Sequence, residues 1–198
     1  MTAMMRCPPM TNAHADLFGS PSPEPEGLRY VRALIEEAER DRLMDAFADL
    51  PFAPFEFHGW LGARHVVSFG WRYDFSRARL DRAAPLPAFL EPLRVRAAAF
   101  AGVPATGIVQ TLVTEYQPGA GIGWHRDRPQ YDKVIGVSFG APCRLRFRRR
   151  TPYGWERRHL DLAPGSAYLL DGPARTDWEH SIAPMAALRY SVTFRTLR

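Results

Sequence analysis

Ile108-Val109-Gln110-Thr111-Leu112-Val113-Thr114-Glu115-Tyr116 is the stretch that sets the fold class. β-branched and aromatic residues dominate it, and Gly107 and Gln117-Pro118-Gly119 bracket it, so it reads as one strand between two turns. The same texture continues to the C-terminus. β-prone runs at 134–139, 144–148, 155–162, 166–170, 178–182 and 188–197 alternate with turn residues. Seven short strands at roughly even spacing predict a sandwich or jelly roll. In Arg144-Leu145-Arg146-Phe147-Arg148 the alternation is strict, giving one apolar face and one row of guanidinium groups. As the solvated outer face of a sheet, that row needs no function.

Toward the N-terminus the periodicity changes. Ile35, Ala38, Leu43, Ala46, Phe47 and Leu50 recur at three- and four-residue intervals amid charges, which predicts an amphipathic helix ended by Pro51 and Pro54. Leu90, Leu93, Ala97 and Phe100 share a face in a second helix over 87–100, closed by Gly102 and Pro104. Between the helices, residues 55–75 are rich in aromatics and β-branched residues and read as one or two hairpins. The expected class is α+β, mainly β: a jelly-roll core with two N-terminal supporting helices and an aromatic-rich hairpin. Residues 1–27 hold five prolines and little periodic hydrophobicity, and read as a mobile tail before one domain over 28–198. Within that tail Leu17 and Phe18 belong to a short acidic and apolar cluster. Such a cluster either docks into a partner protein's groove or packs on its own domain.

A length of 198 residues and a mass of 22.4 kDa suit one domain. No apolar run approaches the roughly 20 residues of a membrane span, and Met1–Met10 has no continuous apolar core of a secretory signal. A cytoplasmic monomer without membrane association is expected. Cys7 and Cys143 are too few for a disulfide framework or a thiolate zinc site. The net charge of +5 favours an anionic partner such as nucleic acid, although Lys133 is the one lysine and the arginine excess also fits a codon bias.

His125-Arg126-Asp127 places two ligand-type side chains at i and i+2, on one side of an extended segment. His180 lies on a later predicted strand. Two imidazoles and one carboxylate form a facial triad that leaves three positions open on iron, and the same ligand types also serve zinc hydrolases. The last strand adds a second constraint. Alternation puts Arg189, Ser191, Thr193 and Arg195 on one face and Tyr190, Val192 and Phe194 on the other. Two cations on one face suit a dicarboxylate that chelates iron at one end and pairs with arginine at the other.

Three ordered motifs then carry a family likeness: Tyr116-Gln117-Pro118-Gly119 through His125-Arg126-Asp127, Gly172 through Arg175 to His180-Ser181-Ile182, and Arg189 to Arg195. With them the chain resembles the AlkB family of Fe(II)- and 2-oxoglutarate-dependent dioxygenases over most of 28–198. The resemblance implies a double-stranded β-helix that holds iron by His125, Asp127 and His180 and uses 2-oxoglutarate and dioxygen. It implies Arg189 on the far carboxylate of 2-oxoglutarate, Arg195 near the carboxylate beside the metal, and Tyr116, Thr114 and Ser191 hydrogen-bonding the cosubstrate. Thr114 and Ser191 stand where asparagine is often found. By the same likeness residues 55–75 form a nucleotide-recognition lid, with Trp71, Tyr73, Arg64 and His65 as substrate contacts.

The activity implied is oxidative demethylation of N-alkylated bases in DNA or RNA, with release of formaldehyde, succinate and carbon dioxide. Family members that repair alkylated bases typically carry an acidic residue just after the HxD; here Arg128 and Pro129 follow. The alternatives are an oxygenase acting on a modified RNA, a protein or a small molecule, and a non-catalytic nucleic-acid-binding module on the same scaffold. His14, His58 and His159 have no ligand partners at suitable spacing and read as solvated or structural. Trp60, Trp124 and Trp155 read as packing residues, with Trp124 next to a ligand.

Overall fold

The computed structural model describes residues 24–57, 60–74, 77 and 79–198, with the backbone alone at 57, 60, 72, 74 and 80. Leu17 and Phe18 lie outside the described residues, as do Cys7, His14 and His58. The N-terminal part runs β1 (Leu28–Val31), α1 (Glu37–Ala48), β2 (Ala53–Phe57), β3 (Trp60–Asp74), β4 (Arg79–Arg82) and α2 (Glu91–Ala101). It continues with β5 (Ile108–Tyr116), β6 (Ile122–His125), β7 (Tyr131–Gly140), β8 (Cys143–Thr151) and β9 (Gly154–Leu162). The chain then forms β10 (Ala167–Leu170), α3 (Gly172–Thr176), β11 (Glu179–Ile182) and β12 (Arg189–Leu197).

All seven strands expected from the sequence form. Among the described residues, eight strands make one sheet in the order β1-β10-β7-β12-β5-β3-β2, with β4 added on β3. Four more form a second sheet, β6-β11-β8-β9. From β5 onward the chain passes back and forth between the two sheets, β8 and β9 being consecutive in the smaller one. The result is a mainly β jelly roll in which the named strand pairs are antiparallel.

Two apolar layers lie on opposite faces of the large sheet. One joins it to the helices: Phe47 of α1 meets Phe139 edge-on at 5.0 Å and Tyr190 at 5.5 Å, with Leu93, Val113, Val192 and Phe194 around them. The other lies between the sheets and includes Val134, Leu145, Phe147, Leu162, Leu170 and Ile182. β12 thus sends Tyr190, Val192 and Phe194 to the helices, as its alternation predicts. Pro92 lies in the first turn of α2, where its missing N–H costs no helix bond, and Gly102, at φ 71°, caps the other end with its N–H on the carbonyls of Ala98 and Ala99.

The segment expected to form hairpins pairs β2 with β3, and β4, which lies beyond residue 75 and was not expected, adds a second hairpin on the other side of β3. β3 also pairs with β5, so this region extends the large sheet. Gly70, at φ 78°, permits a close approach there: a Cβ would stand 2.3 Å from the Val109 carbonyl oxygen. Glu26 accepts a hydrogen bond from Ala174 N–H and Gly27 from Asp171 N–H, which ties the residues just before β1 to the start of α3. No helix among the described residues is long and apolar enough to cross a membrane.

Candidate metal centre and cosubstrate pocket

His125 ends β6 directly opposite His180 of β11, and the two imidazole centroids lie 4.2 Å apart. Asp127 follows two residues later and brings its Oδ2 to 3.5 Å from His180 Nε2. One ligand atom from each of the three side chains lies within 4.8 Å of the other two. His125 Nδ1 is 3.0 Å from the Gly123 carbonyl, so its N–H donates there and Nε2 keeps a free lone pair. Two neutral imidazoles and one carboxylate fit a divalent first-row metal with open positions.

The local electrostatics keep these ligands in metal-binding form. Burial pushes the Asp127 carboxyl up, but Arg195, His180 and His125 outweigh it and hold it well below the usual carboxylate range. Burial, aided by His125, pushes His180 down to about 3, and burial lowers His125 as well. Arg195 fixes the carboxylate: its Nε and Nη2 donate to Asp127 Oδ1 at 2.9 and 2.7 Å, while Nη1 donates to Gln110 Oε1 at 2.9 Å. Arg195 therefore braces a metal ligand, in addition to lining the pocket where the likeness puts the cosubstrate.

Arg189 is 1% exposed, yet its Nη1 has no hydrogen-bond partner among the described residues. Its Nε donates to Ser138 Oγ at 3.3 Å, and its guanidinium lies 5.0 Å from the Tyr116 ring. A buried guanidinium nitrogen without an acceptor is costly, and a ligand carboxylate is the chemistry that completes it. Thr114, Tyr116 and Ser191 line the same cavity, so the residues present fit 2-oxoglutarate. That cavity measures about 1580 Å³, above the roughly 300–1,000 Å³ of an ordinary small-molecule site. Among the described residues eight arginines line it, against two carboxylates, Glu56 and Asp127.

The four proposed substrate contacts divide. Arg64 and Tyr73 line the cavity, Arg64 lying over the Phe55 ring at 3.7 Å and Arg128 over Tyr73 at 4.7 Å. His65 points to the opposite face of β3, where its Nδ1 is 3.3 Å from Glu115 Oε2. Trp71 is absent from the cavity lining and carries Arg82 at 5.3 Å. His65 lies away from the cavity because it neighbours Arg64 and adjacent strand residues face opposite ways, whereas Trp71 shares the parity of Tyr73 and is engaged by Arg82.

Three further residues of the site were given no role by the sequence reading. Gln110, which holds Arg195, shares the face of Thr114 and Tyr116 at even spacing, so the period-two pattern of β5 contained that signal. Tyr168 lies in the cavity wall opposite Gly136, where any Cβ would come within 2.3 Å of its ring. Buried Arg175 donates to the carbonyls of Arg128 and Tyr131, tying down the loop that follows Asp127. Its place in the motif before His180 marked it only through family likeness.

Fold and site together define a jelly-roll oxygenase centre with a braced metal triad and a buried anion pocket. The family model of the 2OG-Fe(II) oxygenase superfamily matches residues 28–195, and the chain belongs to that superfamily, as an AlkB-like member whose chemistry uses iron(II), 2-oxoglutarate and dioxygen. It is 28% identical over 149 residues to an "Alkylated DNA repair protein ALKBH8 homolog" of Arabidopsis thaliana, covering 62% of this chain and 43% of that one. It is 26% identical over 168 residues to "tRNA (carboxymethyluridine(34)-5-O)-methyltransferase ALKBH8" of Mus musculus, covering 81% and 24%. The chain thus spans less than half the length of these relatives. The solved structure of OsALKBH1 superposes with a TM-score of 0.65 at 14% identity, covering 87% of this chain and 97% of that one, and shares the fold.

Proposed function

We propose that this domain oxidatively demethylates N-alkylated bases in DNA or RNA. The observation that carries the reading is the arginine-rich cavity around the triad, which has room for a base beside the cosubstrate and suits a polyanionic strand at its mouth. Bound iron(II), 2-oxoglutarate and dioxygen supply C–H hydroxylation, with succinate and carbon dioxide as co-products and formaldehyde lost from the hydroxylated N-methyl group.

In this reading His125, Asp127 and His180 hold the iron. Arg189 pairs with the far carboxylate of 2-oxoglutarate, Thr114, Tyr116 and Ser191 hydrogen-bond it, and Arg195 keeps Asp127 oriented while approaching the carboxylate beside the metal. Tyr73 and Arg64 contact the target base, which must leave its stack to reach the metal; an aromatic contact offsets about 1–3 kcal/mol of that cost. Arg128 sits where repair members typically carry an acidic residue. Together with the tRNA enzyme among the relatives, it supports a second reading: oxidation of a modified RNA base.

Mass spectrometry of methylated DNA and RNA oligonucleotides incubated with protein, iron, ascorbate and 2-oxoglutarate tests both. Net loss of one CH2 with release of formaldehyde supports demethylation, and gain of one oxygen on RNA supports the second reading. Turnover of peptides alone contradicts both. Succinate formation in any arm excludes the non-catalytic module. Arg189→Ala should raise the 2-oxoglutarate concentration needed for half-maximal turnover at least tenfold, read from a cosubstrate titration; an unchanged requirement removes Arg189 from that role.

A further inference from the structure

The outward face of the smaller sheet bears an order that a solvated surface does not require. Strand pairing puts Arg146, Arg148 and Arg150 of β8 beside Trp155 and Arg157 of β9, with Trp124 of β6 beyond β11. The side chains alternate. Arg146 lies 5.2 Å from the Trp124 ring and Arg148 4.6 Å from the same ring; Arg148 is also 4.2 Å from Trp155, and Arg150 is 5.4 Å from it. Cation and aromatic ring follow one another as a ladder, Arg146-Trp124-Arg148-Trp155-Arg150.

The charge on this face is incompletely neutralised. Glu179 pairs with Arg148 at 2.6 Å and Asp161 with Arg144 at 2.7 Å. Among the described residues Arg146, Arg150 and Arg157 take part in no ion pair, and Arg150 and Arg157 are exposed. Alternate residues along a strand repeat every ~6.6 Å, comparable with successive phosphates of an extended single strand. Stacking on tryptophan also holds long side chains that would otherwise lose rotamer freedom on binding an anion. The rings are occupied by arginine, so the face offers charge and no free platform for bases. Trp124 connects it to the active site, since that residue also lines the metal cavity.

We propose that this arginine–tryptophan ladder is a docking surface for the phosphodiester backbone of single-stranded nucleic acid, holding the strand next to the nucleotide that enters the cavity. The inference rests on the nucleic-acid reading given above and extends it to a second contact area. Backbone contacts alone carry no sequence information, so the ladder contributes affinity and register while the cavity selects the base.

The test is a salt titration of the full chain binding a fluorescently labelled, single-stranded 20-nucleotide DNA. Arg150→Ala with Arg157→Ala removes two exposed cations. The plot of log affinity against log salt should become shallower by about 1.4, from about 0.7 per lost phosphate contact, and affinity should fall on the order of tenfold. Arg32→Ala with Arg42→Ala, beside and on α1, makes the same change in net charge away from the face and should leave the slope unchanged. Adding Arg146→Ala to the first pair should lower the slope further. An unaltered slope in the double variant, an equal loss in the α1 control, or an acidic peptide binding this face in preference to the oligonucleotide overturns the docking surface and leaves the proposed function standing. If the wild-type chain neither binds nor oxidises any oligonucleotide, the nucleic-acid reading itself fails.

Discussion

Arg189 and Arg195 belong to one alternating row on β12, but their surroundings give them different work. Arg195 spends three contacts on Asp127 and Gln110, whereas Arg189 keeps a buried nitrogen without an acceptor. The imidazoles create a pH liability when no metal is bound. His180 has a folded-state pKa of about 3 against an ordinary 6.5, and His125 is lowered too. As pH falls below about 6.5, the unfolded chain takes up protons that the folded site refuses, so stability is lost from there downward toward the folded value. Asp127, depressed in the fold, adds loss in the same direction below about pH 4. For His180 alone the expected loss between about pH 7.5 and about pH 5 is about 2 kcal/mol. Urea denaturation of metal-free protein at both values checks this, and His180→Phe should show a shallower loss.

At the scale of elements, long alternating strands were legible because each residue's side is fixed by parity. β5 forms over the expected residues, and the two faces of β12 divide as its pattern requires. β1, β4 and β6 were not expected. Leu28-Arg29-Tyr30-Val31 is too short to display a period, and Ile122-Gly123-Trp124-His125 is interrupted by glycine. The lid hairpins were legible as β structure, but which of their side chains face the metal depends on tertiary pairing, so Arg64 and Tyr73 were placed and His65 and Trp71 were not. The metal triad was readable from residue type and order; the Arg175 tether was not, because its partners are backbone carbonyls. α1 was expected from its stripe, and Phe47 at the centre of that stripe supports the large sheet from behind. Phe47→Ala should cost about 3–5 kcal/mol in chemical denaturation. Manganese(II) affinity of the protein that remains folded should be unchanged, because Phe47 packs on the face of the sheet opposite the triad.

Across the whole molecule a net charge of +5 is unevenly spread, with arginines gathered in the cavity and along the outward face of the smaller sheet. The large sheet, between the two apolar layers, separates support from chemistry. Its strands pack against helices on one side and present polar groups to the cavity on the other. Neighbouring positions of β12 consequently answer to unrelated demands. Val192 and Phe194 are free to drift among apolar residues of like volume, while Arg189, Ser191, Thr193 and Arg195 follow whatever small molecule and strand the domain handles. Among naturally diverging copies of this domain, substitutions along that strand should come in a two-beat rhythm, with size restrained on one beat and chemical character on the other.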